Sequence, residues 1–164
     1  MFERTLSETE FEHWLAHLPA SAHPAALARA RECALTHPNL VAAASLLIRL
    51  GEPAAAEALL LGEPEQVGSK LYGKLGPLLQ ALREHDCPRG ETVLYRALLQ
   101  SVLDHAQTRA YGQAAHYLSR LREIAHVTHS LAPLPSHEAF EAEIRARHGR
   151  KMTFWSKVNV SRRG

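Results

Sequence analysis

The feature that most constrains the fold is a helical period running from Pro88 to Ala125. Leu94, Ala97, Leu98, Val102 and Ala106 recur at three- and four-residue steps, one stripe of a helix with 3.6 residues per turn. Leu99 and Leu103 widen the stripe, so this helix is expected to be buried on more than one side. Pro88 suits a first helical position, where its missing N–H would have no partner anyway, and Glu91 falls in the first turn, where the helix dipole favours a carboxylate. Gln107, Thr108 and Arg109 form a polar break. Tyr111, Ala114, Leu118, Leu121 and Ala125 make a second stripe, with Tyr117 and Ile124 beside it. Small alanines opposite large Leu and Tyr side chains let two helices approach closely and interlock. The stretch therefore predicts a helical hairpin, the core pair of the fold.

The rest of the chain reads as neighbours stacked on that pair. Ser7 with Glu10 is a capping box, opening a helix whose apolar face is Phe11, Trp14, Leu15 and Leu18. Pro24 opens a second helix with Leu27, Ala30, Ala34 and Leu35. Asn39 caps a third, carrying Leu40, Val41, Ala44, Leu47 and Ile48 and closed by Gly51. Pro53 starts a short fourth, stopped by Gly62 and Pro64. Ser69 starts a fifth, which Gly76 and Pro77 are expected to kink or split, because proline removes a donor and clashes with the preceding turn. Ser136 caps a final helix over 137–148, with Glu141–Arg145 and Glu143–Arg147 as pairs one turn apart and Gly149 as its stop. The expected fold is all-α: a small bundle of about seven helices in stacked antiparallel pairs, tetratricopeptide-like or α-solenoid-like, since Leu40–Leu60 and Leu98–Leu118 can be laid over each other. One domain spans 1–149, with the core hairpin at 88–125, and a basic tail follows at 150–164.

Composition excludes several classes. Ala and Leu are abundant, β-branched residues scarce, and the longest nearly apolar run, Leu40 to Ile48, is far short of the ~20 residues a membrane helix needs. The start, Met1-Phe2-Glu3-Arg4, has no apolar core of a signal peptide. Cys33 and Cys87 are far apart and outside any C-x-x-C pattern, which points to a reduced, cytoplasmic setting. The net charge of +2 hides an asymmetry: all 17 acidic residues precede Arg145, whereas seven of the 19 Lys and Arg residues lie from Arg145 onward.

That basic segment is the first functional candidate. Arg145, Arg147, Arg150 and Lys151 stand close together, followed by Phe154 and Trp155. Cations beside aromatics can hold phosphates and stack bases, sit on an anionic membrane surface, or contact a partner protein. The competing reading is internal: Phe154 and Trp155 dock on the bundle as an aromatic clasp. Burying an aromatic is worth roughly 2–3 kcal/mol and an exposed ion pair about 0–1, so the aromatics decide the docking. Tyr72, Tyr95, Tyr111 and Tyr117 are candidates for lining a groove, or for core positions with the hydroxyl at the rim. His13 and His17, one turn apart, have a spacing that can chelate zinc, but the Glu that follows the first His in metalloproteases is missing. No phosphate-cradling loop, nucleophile elbow or Cys–His pair is present, so neither an enzyme nor a cofactor is expected.

Three ordered pieces carry a resemblance. They are Gly76-Pro77-Leu78-Leu79; then Leu94-Tyr95-Arg96-Ala97-Leu98-Leu99 followed by Tyr111-Gly112-Gln113-Ala114-Ala115-His116-Tyr117-Leu118; then His137 to Phe140, leading to His148-Gly149-Arg150-Lys151 and Phe154-Trp155. Together, over roughly Leu71 to Val158, they resemble the C-terminal half of a family of uncharacterised bacterial helical-repeat proteins. The resemblance implies a bacterial, cytoplasmic, α-helical protein and assigns no catalytic residue. The leading expectation is a non-enzymatic protein-interaction or scaffold module. The alternative is a nucleic-acid-binding accessory protein using the basic C-terminal segment, and the third is a zinc-binding protein. No oligomeric state follows from the sequence.

Overall fold

A computed structural model describes residues 6–67 and 72–161, with the side chains of residues 8 and 72–74 left out. Nine α-helices stand among the described residues: α1 (Glu8–Ala16), α2 (His23–Thr36), α3 (Leu40–Arg49), α4 (Pro53–Gly62), α5 (Tyr72–Glu84), α6 (Pro88–Asp104), α7 (Tyr111–Val127), α8 (His137–His148) and α9 (Met152–Ser161). The expectation of about seven helices is corrected, chiefly because the basic tail is itself a helix. Ser69, Arg162 and Arg163 lie outside the described residues.

Local signals set the helix starts. Ser7 Oγ accepts from Glu10 N at 3.4 Å, Asn39 Oδ1 from Ala42 N at 3.1 Å and Ser136 Oγ from Ala139 N at 3.2 Å, each satisfying a donor that the first helical turn leaves open. Pro53 and Pro88 occupy the opening turns of α4 and α6. Gly51 has φ +80°, the left-handed geometry that glycine adopts without a Cβ penalty, between α3 and α4. Pro77 does not split its helix: α5 runs through it to Glu84. Ala106 leaves the first stripe, because α6 ends at Asp104 and Ala106 turns to φ +50° at the surface.

Helix α6 is the axis of the molecule. Val93, Leu94 and Leu98 pack into a first apolar core with α3, α4 and α5, around Leu46, Leu47, Leu60, Leu78 and Leu82. Tyr95, Leu99, Val102 and Leu103, on the other side, join a second core with α7, α8 and α9, around Leu118, Leu121, Ile144 and Phe154. The widened stripe thus serves two cores. On α2 the inward face is Ala26, Ala30 and Ala34, at four-residue steps, while Leu27 and Leu35 are exposed. Small side chains there let α2 approach α3.

A buried carboxylate ties the two hairpins together. Glu57 of α4 accepts from the backbone N–H groups of Arg89 and Gly90, both at 3.0 Å, and pairs with the Arg89 guanidinium at 2.8 Å. It neutralises the open donors at the start of α6, where a negative charge is favoured. A Cβ on Gly90 would meet Leu82 Cδ2 at 3.1 Å and Glu57 Cγ at 3.5 Å, so the missing side chain lets α4 and α5 close on this turn.

Candidate binding groove

Several of the residues marked by their chemistry have internal roles. The C-terminal segment folds back onto α7 as α9. Phe154 is fully buried and meets Tyr111 edge-on at 5.9 Å; Trp155 is buried and its indole Nε1–H donates to the His148 carbonyl at 3.0 Å. The Arg145 guanidinium lies 4.2 Å over the Trp155 ring. Gly149 makes the reversal possible, since a Cβ there would come within 2.7 Å of the Arg145 carbonyl oxygen.

The cations of α8 are held by carboxylates. Glu141 receives a two-bond fork from Arg122 of α7, at 3.1 and 2.7 Å, and a third bond from Arg145 at 3.1 Å. Burial works against its charge, but Arg122 and Arg145 outweigh it and hold the carboxyl down at about 2. Arg147 bridges Asp104 of α6 at 3.2 Å and Glu143 at 3.5 Å. His148 Nε2 stands 3.1 Å from Asp104 but is not aligned to hydrogen-bond to it, and burial lowers its affinity for a proton against the pull of Asp104. Arg150 is exposed and Lys151 half-buried.

The tyrosines and histidines fall elsewhere. Tyr95 is buried at the junction of the two cores, its hydroxyl accepting from Arg83 at 2.5 Å, and Tyr117 lies tilted beside it at 5.8 Å. Tyr111 belongs to the second core; the side chain of Tyr72 lies outside the described residues. The His13 and His17 rings are 4.2 Å apart and exposed, with His17 Nδ1 2.7 Å from the His13 carbonyl. Among the described residues no three His, Cys, Asp or Glu side chains are grouped to hold a metal ion.

A concave groove of about 540 Å³ runs along one stripe of α6. Val93, Arg96, Ala97, Gln100, Ser101, Asp104 and His105 form its floor, again at three- and four-residue steps. The turn carrying Pro64, Glu65 and Val67 makes one wall; Leu134, Pro135, Phe140 and Glu143 make the other. Of the candidate tyrosines, the described side chains of Tyr95, Tyr111 and Tyr117 do not line it.

Arg96 is the unusual member. It is only 7% exposed, and among the described residues no carboxylate pairs with it. Its Nη2 donates to the carbonyls of Pro135 at 2.8 Å and Ser136 at 3.4 Å, and the guanidinium lies 4.5 Å over the Phe140 ring. Nε is buried without an acceptor. Burial pulls the guanidinium down to about 10, with Glu143 opposing, so it stays charged at neutral pH. The sequence reading passed over this residue; the signal was an arginine inside the apolar run Val93-Leu94-Tyr95-Arg96-Ala97-Leu98-Leu99.

The model of a family of unknown function (DUF6880) matches residues 1–157, nearly the whole chain. The chain belongs to that family. The matched span includes α6, both walls of the groove and the aromatic pair of α9. No curated protein and no solved structure matches the chain. Among the described residues no helix is long and apolar enough to cross a membrane.

Proposed function

We propose that this protein is a non-enzymatic interaction module that binds a protein segment in the groove along α6. The carrying observation is the buried Arg96 guanidinium, which borders an open groove without an acidic partner. A buried cation left unpaired costs several kcal/mol, and the two carbonyls and the Phe140 ring offset only part of that. An arrangement of this kind is worth keeping where a ligand completes it. The hairpins α3–α4 and α6–α7, side by side through α4 and α6, support a degenerate helical-repeat reading of tetratricopeptide type, in which partners lie along helix faces. The sequence resemblance and the unpaired thiols Cys33 and Cys87 support a bacterial, cytoplasmic setting for the module.

The basic segment supports a nucleic-acid reading less well. A phosphate would have to displace Glu141 from Arg145, and Asp104 and Glu143 from Arg147. Trp155 stacks under Arg145 and is not presented to bases.

The groove is tested by filling it. Displayed peptide segments are selected against the full chain, and survivors are assayed on the variant Gln100→Trp, which places an indole on the groove floor. Segments that bind wild type and lose at least about tenfold on Q100W support the reading. Segments indifferent to Q100W, or no segment at all, contradict it.

A further inference from the structure

We infer that the groove recognises an extended segment carrying an internal acidic side chain next to an apolar residue, with a Lys or Arg three or four positions away. This deepens the groove reading and rests on it. Arg96 supplies the first specificity: it is a buried cation on the floor with no carboxylate in direct contact among the described residues, and Asp or Glu is the protein side chain that completes a guanidinium.

The floor does not end at Arg96. One turn earlier, over the enclosed Val93 and Val67, the half-buried Pro64 and Leu134 border it, and this apolar end suits an aliphatic neighbour of the acid. The chain of the ligand therefore passes Arg96 on both sides, which makes the carboxylate a side chain rather than a terminus.

The opposite end carries the second specificity. Asp104 and Glu143 border the groove there and share the single guanidinium of Arg147, so two carboxylates stand against one directly paired arginine at this end. Asp104 lies eight residues after Arg96, roughly 12 Å along the helix axis. An extended chain covers that distance in three to four residues at about 3.3 Å each. Gln100 and Ser101 line the interval and offer an amide and a hydroxyl to the passing backbone.

The test uses the full chain and a library of seven-residue segments displayed inside a surface protein, so that neither end is free. A second library displays the same lengths with a free C-terminus. Internal segments enriched on wild type should carry Asp or Glu beside an apolar residue, with Lys or Arg three or four places off. One such peptide, capped at both ends, should bind at least about tenfold more tightly than its Glu→Gln form. That gap should close in Arg96→Met, and the preference for the distant cation should fall in Glu143→Gln. Because R96M removes a buried anchor, wild type provides the independent reading: the Arg96 Nε–H resonance should move with the Glu peptide and not with the Gln peptide.

Groove-dependent segments with no acid preference would overturn this assignment and leave the groove reading standing, as would enrichment only from the library with free C-termini. No segment sensitive to Q100W would overturn both.

Discussion

Glu57 and Arg96 are buried and Glu141 is half-buried, each for a different reason and each with its own bearing on the fold. Glu57 caps α6 through two backbone N–H groups and Arg89. Glu57→Ala leaves those donors open, and denaturant unfolding should show a loss of about 1–3 kcal/mol. Glu141 is held ionised at about 2 by Arg122 and Arg145 despite its burial. A carboxyl depressed in the folded state contributes stability that is present above its ordinary value near 4.5 and lost as pH falls through about 2. Wild type should therefore lose on the order of 2–3 kcal/mol more than Glu141→Gln across that window. Equal acid sensitivity of the two melting curves would show that the Arg122 fork carries no such weight. Arg96 differs from both: among the described residues no carboxylate pairs with it directly, and Glu143 supports its charge only from a distance.

At the scale of elements, α6 and α9 carry the fold. Phe154 is wholly enclosed between α9 and the second core, and Phe154→Ala should cost about 3–5 kcal/mol in unfolding free energy. Removing the chain after Lys151 should lower the melting temperature further, by uncovering Tyr111 as well. An unchanged melting temperature in either case would mean that α9 is not part of the folded unit. Much of the helix layout was legible in the sequence, because Ser7, Asn39, Ser136, Pro53 and Pro88 act within one turn of themselves. Leu27 and Leu35 misled because a stripe of alanines packs more closely than a stripe of leucines. The continuity of α5 through Pro77, and the left-handed turn at Ala106 that Gln107 N–H closes onto the Val102 carbonyl, lie outside what the local residue pattern reports. The groove was illegible for a related reason. Its walls come from positions 64–67 and 134–143, and only the fold sets them on either side of Arg96.

At the scale of the molecule, Arg145 and Arg147, of the seven C-terminal cations, are engaged in assembly. Cations of the C-terminal region meet carboxylates of α6 and α8, and the aromatics that follow them close the second core. The groove on α6 joins a concave shape to a buried guanidinium that no carboxylate of the described residues pairs directly. The account thus moves the functional question from the basic segment to the groove that the same helix offers on a third side, between its two cores. The most direct measurement is chemical-shift mapping of the full chain titrated with a selected, end-capped peptide. The account predicts that the largest amide shifts fall on Val93, Arg96, Ala97, Gln100 and Phe140, with the Arg96 side chain moving in step. Shifts confined to Met152–Ser161 or to the outer face of α7, with the α6 stripe unmoved, would contradict it.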